Sequence, residues 1–473
     1  RTRNYAITEQ RPYLEVVTVP RAYDTNEAVN AALAAAEPGD TIYVADGTYN
    51  NWVITIPNDV DGTENAPITL AAETPGGVTF TGNSTRLTVY GSYNVVTGFI
   101  FDSIVTGTND PIIKYDSATY CRFTDNAIVD CSSNLDRKLF VLQNASSYNR
   151  IDHNYITGSN SMSMGLGIGP TTPENQWSIY NTFDHNWFYQ IPLRSDGAEP
   201  LQLATGSGTS PFSVHTLVEW NRFEEALGDA ETISVKCSDN IVRYNYFLNI
   251  SNGGLCLRGG SRNRVEGNFV QNCKYGARVY GDEHTIINNY MDTPIYGILM
   301  NAGTVSGNEE AVDCLVANNT IRNAYTLALG LSAGGGDIPS VDNIFVNNIL
   351  EARAKKPAIT DSLTDTDEDC TWDANLLWNQ NWPDYIGVVP DSGATIDDPE
   401  LSLGGDGLYR PGGTSPALGE GTPVEEVSMD MDGQERDETY PDIGCDEDSE
   451  DDVTIYPVPP EEVGPTWMEG TPL

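Results

Sequence analysis

Four charged residues near the middle of the sequence have types and spacing suited to proton-transfer chemistry. Asp229 and Glu231 are two residues apart, Lys236 follows five residues later, and Arg258 follows after a further 22. Side chains at i and i+2 of a strand share a face, where two carboxylates repel each other unless a cation joins them. The acid pair therefore predicts bound Ca²⁺, and a lysine whose pKa is lowered by cationic neighbours could act as a base.

Positive charge is concentrated in the same region of an acidic chain. The 473 residues carry a formal net charge of −43, whereas Lys236–Arg278 holds seven basic residues against two acidic ones. The basic residues are Lys236, Arg243, Arg258, Arg262, Arg264, Lys274 and Arg278. The overall acidity argues against a nucleic-acid partner and suits saline or marine conditions. A local file of cations instead predicts an extended anionic polymer as the partner.

Composition also bounds where the protein works. No run of 18 apolar residues occurs, so no membrane span or membrane partner is expected. Nothing resembles a signal peptide at Arg1, and we expect a secreted, extracellular protein whose sequence begins after processing. Eight cysteines without CxxC spacing permit disulfides, although thiols buried in a β core would give the same pattern.

A repeated motif of an alternating apolar segment followed by Asn, one residue and an apolar residue runs along most of the chain. Successive motif asparagines are 21–35 residues apart. They are Asn126, Asn154, Asn186, Asn221, Asn245, Asn268, Asn289, Asn319, Asn348 and Asn375. Short strands separated by tight bends predict an all-β fold, a single-stranded right-handed parallel β-helix of about ten or more coils. We expect each Asn to occupy a left-handed corner and to bond to the Asn of the next coil, with no catalytic role.

The remaining segments predict caps at both ends of the coil. Residues 1–24 form a lead-in segment, and 25–390 form the β-helix with an N-terminal capping helix. A capping-box pattern at 24–27, followed by the apolar run 28–36, indicates that helix. Residues 391–453 form irregular C-terminal coils and a cap, and 454–473 form a Pro-rich tail with weak order expected.

Coil spacing places the charged residues relative to one another. Because Lys236 and Arg258 are 22 residues apart, about one local coil, we expect them side by side on one sheet face, with Arg278 continuing the ladder. The alternative is structural: an ion-pair ladder with Asp229 and Glu231 on a solvated face. Of the four histidines, two belong to the repeated DHN corner, so imidazole base chemistry is not favoured.

Several motifs resemble one enzyme family. GDAETISVKC at 228–237, GGLCLRGGS at 253–261, VEGNF at 265–269 and YGARVYGDEHTIINNY at 275–290 are similar to the core of polysaccharide lyase family 6, which includes alginate lyases and chondroitinase B. PGDTIYVADGTYN near the start and SPALGEG with DIGCDE near the end are also similar, so the resemblance covers roughly residues 20–450. It implies a right-handed parallel β-helix and Ca²⁺-assisted β-elimination on a uronic-acid polymer such as alginate.

The resemblance implies roles for individual residues. Lys236 would take the C5 proton and Arg258 would assist protonation of the leaving oxygen. Glu231 matches a family calcium ligand, Asp229 stands where the family often has Glu, and the third ligand, commonly Asn from the previous coil, falls near Asp196.

Three further residues are expected to contact the substrate, and two positions depart from the family pattern. The expected substrate contacts are Arg278, Arg262 and Gln202. Gly259 stands where the family usually has His after the arginine, and Gln202 stands where it often has Arg. Both departures concern substrate contacts, so the polymer and the cleavage mode stay open.

Two other functions remain as alternatives. A catalytically inactive β-helix could bind glycans or self-assemble into a surface structure or filament through its extended sheets and open ends. A hydrolase on the same fold would need two carboxylates facing each other across the scissile bond, and no convincing second pair occurs in the basic stretch.

Overall fold

The chain winds into a right-handed parallel β-helix in which each coil contributes strands to three long sheets in turn. The computed structural model describes residues 21–107, 110–133, 138–194, 197–206, 208–305, 307–353, 355–363 and 369–473. The predicted fold class is therefore confirmed. Most of the predicted lead-in segment, residues 1–20, lies outside the described residues.

The first sheet, sheet 1, has 14 described strands in parallel register. They are Ala22–Tyr23, Thr41–Val44, Ile68–Ala72, Asn94–Thr97, Arg122–Thr124, Arg150–Asp152, Thr182–Asp184, Leu217–Glu219, Ile241–Arg243, Arg264–Glu266, Thr285–Ile287, Leu315–Ala317, Ile344–Val346 and Thr371–Asp373.

Sheet 2 follows sheet 1 in each coil and also has 14 described strands. They are Gly47–Asn50, Val78–Thr81, Phe99–Asp102, Ala127–Val129, Tyr155–Thr157, Trp187–Tyr189, Arg222–Glu224, Tyr246–Leu248, Phe269–Gln271, Tyr290–Asp292, Thr320–Ala324, Ile349–Ala352, Asn375–Asn379 and Ala394–Ile396.

Sheet 3 completes each coil, has 12 described strands, and carries the candidate site. They are Val53–Ile56, Arg86–Val89, Ile113–Asp116, Phe140–Gln143, Met164–Leu166, Leu201–Leu203, Ile233–Val235, Leu255–Leu257, Tyr275–Val279, Tyr296–Asn301, Leu327–Ala333 and Ile359–Asp361.

Short elements complete the described secondary structure. Two parallel pairs join Val105–Thr106 to Ser132–Ser133 and Gly281–Asp282 to Ala311–Val312, and an antiparallel pair joins Leu401–Leu403 to Tyr409–Pro411. Single 3₁₀ turns occur at Glu174–Gln176, Pro460–Glu462 and Thr466–Met468.

One α-helix, α1 at Asn26–Ala34, covers the first coil. Its N-cap is Thr25, whose Oγ1 accepts the N–H of Ala28 at 3.3 Å, so the cap lies one residue later than the predicted box. Val29 and Leu33 are its buried residues, and the Nδ2 of Asn30 donates to the carbonyl of Val53 at 2.9 Å. The helix thereby shields the open end of the stack, as predicted.

The ten motif asparagines form a continuous buried ladder between sheets 1 and 2. In each step the backbone N–H donates to the side-chain oxygen of the next Asn at 3.0–3.1 Å. The predicted bonds between coils are therefore present. The left-handed conformation, however, belongs to the residue before each Asn, for example Asp125 with φ 57° and Tyr244 with φ 56°. That residue turns its side chain outward, which leaves the Asn side chain inside the coil.

A second polar ladder, missed by the sequence analysis, lies between sheets 3 and 1. The backbone N–H of Asn149 donates to Asn181 Oδ1, and that of Asn240 donates to Asn263 Oδ1, both at 3.0 Å. His284 takes the same place in the next coil, where its Nδ1 accepts the N–H of Asn263 at 3.0 Å. Burial lowers the pKa of His284 to about 4, so it is a neutral structural group.

The interior is filled by stacked apolar side chains. Phe188, Phe223 and Phe247 lie on successive coils with ring centroids 4.6 and 5.1 Å apart. Burying one such side chain stabilises the fold by about 1.5–3 kcal/mol. Seven of the eight cysteines are buried free thiols, so the pattern of eight does not mark a disulfide framework among them.

The C-terminal tail is more ordered than its composition predicts. Val458, Val463 and Met468 are buried against the outer face of sheet 2, where Tyr155 and Trp187 belong to the same apolar cluster. The N–H of Gly464 donates to the carbonyl of His185 at 2.9 Å. The expected weak order is wrong for this segment because aromatic residues on the outside of sheet 2 give it an apolar surface to cover. No helix in the described part of the chain is long and apolar enough to cross a bilayer.

Candidate active site

Lys236 and Arg258 lie on adjacent coils at the C-terminal ends of two neighbouring strands of sheet 3. The last strand residues, Val235 and Leu257, are paired in register, so the two basic residues that follow them occupy equivalent positions. This is the side-by-side arrangement that the spacing of 22 residues predicts.

Arg278 does not continue this ladder. It is paired with Cys256, and the pairing of Leu257 with Val279 places Tyr280 in line with Arg258. The sequence expectation was wrong here because a spacing of 20 ends two residues short of a full coil. A shift of two keeps Arg278 on the same face, and its Nη2 donates to Glu231 Oε1 at 2.8 Å.

Glu231 is held by three side chains. Its Oε1 lies 3.3 Å from Nε of Arg258 and 2.8 Å from Nη2 of Arg278, and its Oε2 accepts the hydroxyl of Ser234 at 2.5 Å. The predicted acid–base ion pairs thus exist, with one carboxylate orienting two guanidinium groups. Such charge-assisted contacts fix the orientation of Arg258 beside Lys236.

Asp229 is bonded mainly by backbone groups. Its oxygens accept the N–H of Glu231 at 2.8 Å and of Gly197 at 3.1 Å. Burial, and then the nearby charges of Glu199 and Glu231, raise the pKa of Asp229 to about 6. The group is therefore poised to lose its proton when positive charge arrives.

Glu199 is a site residue that the sequence analysis missed. Its Oε1 accepts Nε2 of Gln202 at 2.7 Å and lies 3.4 Å from Nζ of Lys236, while its buried Oε2 has no hydrogen-bond partner in the described structure. The pairing of Leu201 with Ile233 puts Glu199 in line with Glu231 on the preceding coil. A coil length of 32 residues, counted back from Glu231, would have found it.

The carboxylates of Glu199, Asp229 and Glu231 form a donor set that fits a hard divalent cation. All three offer oxygen ligands, two adjacent coils supply them, and Oε2 of Glu199 is a buried acceptor without a partner. The predicted third ligand, Asp196, lies outside the described residues. In the described structure Arg258, Arg278 and Lys236 neutralise this set.

A tighter group of acids lies elsewhere among the described residues. Carboxylate oxygens of Asp430, Asp432 and Asp446 in the C-terminal segment are all within 4.8 Å of one another. Arg410 bridges Asp432 and Asp446 through Nη1, so this group already contains a cation of the chain.

The two remaining predicted substrate contacts have other partners. Gln202 is only 4% exposed, and its amide bonds both Glu199 and the Nζ of Lys138, so it positions the acid site from behind. Arg262 lies at the corner between sheets 3 and 1, where it pairs with Asp239 at 2.8 Å and Glu283 at 3.4 Å. The prediction for Arg262 was wrong because nearness in sequence to Arg258 does not survive the turn that follows.

A cavity of about 390 Å³ opens in front of the basic pair. Its lining residues are Gly206, Gly208, Ser210, Lys236, Arg258, Gly259, Gly307, Asn308 and Glu309. Two loops supply its walls, one following Leu201–Leu203 and one following Tyr296–Asn301, and neither was placed from the sequence. Small residues on one side leave room for a ring-sized ligand beside Lys236 and Arg258.

Gly259 is surrounded by groups from both loops. A Cβ at this position would lie 2.7 Å from the hydroxyl oxygen of Ser210 and 3.2 Å from Oε2 of Glu309. Glu309 also accepts the N–H of Gly260 at 3.2 Å. The missing histidine side chain is thus replaced in space by a carboxylate and a hydroxyl from distant parts of the chain.

A parallel β-helix with a lysine, an arginine and a set of carboxylates on one sheet face is the architecture of the β-helical polysaccharide lyases. The chain belongs to the chondroitinase B family, whose model matches residues 23–370, within polysaccharide lyase family 6.

Solved structures of the same family are similar to the chain. A family 6 alginate lyase, AlyGC, is 25% identical with a TM-score of 0.76, and the match covers 94% of this chain and 58% of that one. The chain thus spans little more than half the length of AlyGC. A mannuronic acid specific family 6 lyase from human gut microbiota is 24% identical, with a TM-score of 0.66 and coverage of 75% and 84%. A family 6 lyase from Pseudopedobacter saltans is 22% identical, with a TM-score of 0.64 and coverage of 79% and 97%. The last two show the fold. No curated protein sequence matches the chain.

Proposed function

We propose that the protein cleaves a uronic-acid-containing, alginate-like polysaccharide by β-elimination. The observation that carries this proposal is the placement of Lys236 and Arg258 at equal register on adjacent coils, both lining the 390 Å³ cavity. The family assignment and the likeness to an alginate lyase support it.

The reaction needs a base and a donor on the same side of the sugar ring. The amine of Lys236 takes the proton from C5 of the uronate, and the electron pair left there forms the C4–C5 double bond. The C4–O bond then breaks, and Arg258 donates a hydrogen bond to the leaving oxygen and assists its protonation. Glu231 keeps the guanidinium of Arg258 in place, which lowers the entropic cost of reaching this geometry.

Glu231, Asp229 and Glu199 are the residues that would hold Ca²⁺ in this proposal. Bound there, the cation would neutralise the substrate carboxylate and acidify the adjacent C–H. Arg278 would contribute positive charge next to this group, since it reaches Glu231 from the neighbouring coil. Because such polymers do not cross membranes, the proposal includes an extracellular location.

Ultraviolet absorbance of the new double bond tests the proposal. The purified protein would be incubated with alginate, polymannuronate, polyguluronate or dermatan in the presence of Ca²⁺. Absorbance is expected to rise with at least one of these polymers and to stop rising when a chelator is added. If none of them yields an unsaturated product, the proposed activity is wrong.

The other two functions predict different products. A non-catalytic glycan-binding β-helix would retain polymer without shortening it, and a hydrolase would shorten it without an unsaturated end. The comparisons do not favour the non-catalytic protein.

A further inference from the structure

Four basic residues form no ion pair with any described residue although the chain is strongly acidic. They are Lys274, Arg353, Lys355 and Lys356. In the site, by contrast, Lys236, Arg258 and Arg278 all contact carboxylates of the chain. Leaving cations without acidic partners at a net charge of −43 keeps them available to a partner from outside.

Three of these cations lie over aromatic rings. Nζ of Lys274 is 4.9 Å from the ring centre of Tyr275, and Cζ of Arg353 is 5.3 Å from that of Tyr325. Nζ of Lys355 is 5.1 Å from the ring centre of Trp382. Cation–π contacts at exposed sites hold the cations in place without neutralising their charge.

These residues form one continuous surface at the turn from sheet 2 to sheet 3. Backbone hydrogen bonds link the coils in order: Tyr296 to Lys274 at 2.9 Å, Tyr325 to Pro294 at 2.8 Å, Arg353 to Ala324 at 3.1 Å and Gln380 to Ala352 at 2.9 Å. Five coils at about 4.8 Å spacing extend over roughly 20 Å.

The surface begins at the candidate active site. Cζ of Arg278 lies 5.1 Å from the ring centre of Tyr275, and the ring of Tyr275 stacks on that of Tyr296 at 5.5 Å. Arg278 in turn contacts Glu231. A chain leaving the cavity on this side would therefore meet the unpaired cations next.

Aromatic exposure makes the surface suitable for sugar rings. Tyr325 is 53% exposed, Trp382 47% and Tyr385 45%. Their apolar surface can contact sugar C–H groups while the cations contact carboxylates. Asp384 is an exposed acidic residue between Trp382 and Tyr385, so the cations outnumber the exposed acids in this part of the surface.

We propose that the surface formed by Lys274, Tyr325, Arg353, Lys355 and Trp382 binds a distal stretch of an anionic polysaccharide whose reacting unit lies at Lys236 and Arg258. The uronate class of this ligand rests on the proposed function. The surface makes long polymers better ligands than short oligosaccharides, because only a long chain reaches from the cavity to Trp382.

Paired substitutions test this surface. The variant Lys355→Gln/Lys356→Gln removes two exposed charges, and Arg21→Gln is the control, since Arg21 lies 5.3 Å from the ring centre of Tyr23 near the opposite end of the stack. Mobility would be measured in native gels that contain alginate. We expect wild type and Arg21→Gln to be retarded alike and the double variant to bind about threefold more weakly. The ratio of kcat/KM on polymer to kcat/KM on trisaccharide should fall by a similar factor.

Each outcome decides one proposal. Equal retardation of the double variant and wild type overturns the surface, as does retardation of wild type by duplex DNA as strong as that by alginate. Retardation that depends on Lys355 and Lys356 without any unsaturated product supports the surface and contradicts the lyase reaction. Product formation with no effect of the double variant supports the reaction and contradicts the surface. Melting temperatures of all variants should match wild type because the substituted side chains are exposed.

Discussion

Gly259, directly after Arg258, is the residue at which this chain departs most clearly from its family. The sequence alone suggests a lost side chain and an impaired site. The structure shows instead that Ser210 and Glu309 occupy the space where a side chain would lie. The groove is therefore rebuilt around a glycine, with a carboxylate facing the cavity beside the catalytic pair.

Restoring the family residue by a single substitution should fail. Gly259→His places Cβ 2.7 Å from the oxygen of Ser210 and close to Glu309. We expect a lower melting temperature, consistent with overpacking of about 1–3 kcal/mol, and lower kcat/KM. Gly259→His combined with Ser210→Gly should recover part of both. Wild-type stability and equal or higher activity in the single variant would show that the space is not filled.

The raised pKa of Asp229 predicts a pH-dependent contribution to stability in metal-free protein. The folded pKa is about 6 against a usual 3.8, so the folded state holds this proton more tightly than the unfolded state. The stability that this group contributes is present below about 4 and is lost as pH rises towards 6. In chelator, the melting temperature of wild type minus that of Asp229→Asn should fall over this range. Parallel pH curves would contradict this account.

At the scale of elements, the Asn ladder joins successive coils at the corner between sheets 1 and 2. Asn245 accepts the backbone N–H of Asn221 at 3.0 Å and its Nδ2 at 2.9 Å, and donates to Asn268 at 3.0 Å. All three are buried, so each lost bond leaves a polar group without water.

Removing one step of the ladder should destabilise the coil strongly. We expect Asn245→Ala to lower the free energy of unfolding by about 3 kcal/mol, since an unsatisfied buried group costs about 1–3 kcal/mol. Chemical denaturation measures this, with Asn160→Ala as the control because Asn160 is exposed. A change as small as that of the control would mean that the ladder does not stabilise the fold.

The repeat made the fold and the pairing of Lys236 with Arg258 predictable, because strand register follows directly from coil length. Loops between strands broke the prediction elsewhere. Glu309 comes from a loop after Tyr296–Asn301, and its sequence distance of 51 residues from Arg258 carries no register information. Glu199 was missed because its coil is 32 residues long rather than 22, so the expected ligand fell on Asp196.

At the scale of the whole molecule, a protein of net charge −43 must bind a polymer of the same sign. Positive charge is confined to sheet 3 and its entry turn, so repulsion dominates beyond about 10 Å and attraction operates at the site. The run of seven basic residues is not one face: Arg243 pairs with Glu219 and Arg264 with Glu266 on sheet 1.

Salt should therefore help before it hinders. Raising ionic strength from about 0.01 M to about 0.15 M shortens the screening length from about 30 Å to about 8 Å, which weakens the long-range repulsion first. We expect kcat/KM on long polymer to rise over this range and to fall at higher salt. A steady decline from the lowest salt would show that attraction at the site dominates at all distances.

The most direct test of the central claim compares wild type with Lys236→Ala in the ultraviolet assay for the C4–C5 double bond. The side chain of Lys236 is 17% exposed and pairs only with Glu199 among the described residues, so its truncation should leave the coil intact. The account predicts that wild type produces the unsaturated end on a uronate polymer and that Lys236→Ala, with an unchanged circular dichroism spectrum and melting temperature, produces none. An unsaturated product formed by Lys236→Ala at the wild-type rate would contradict it.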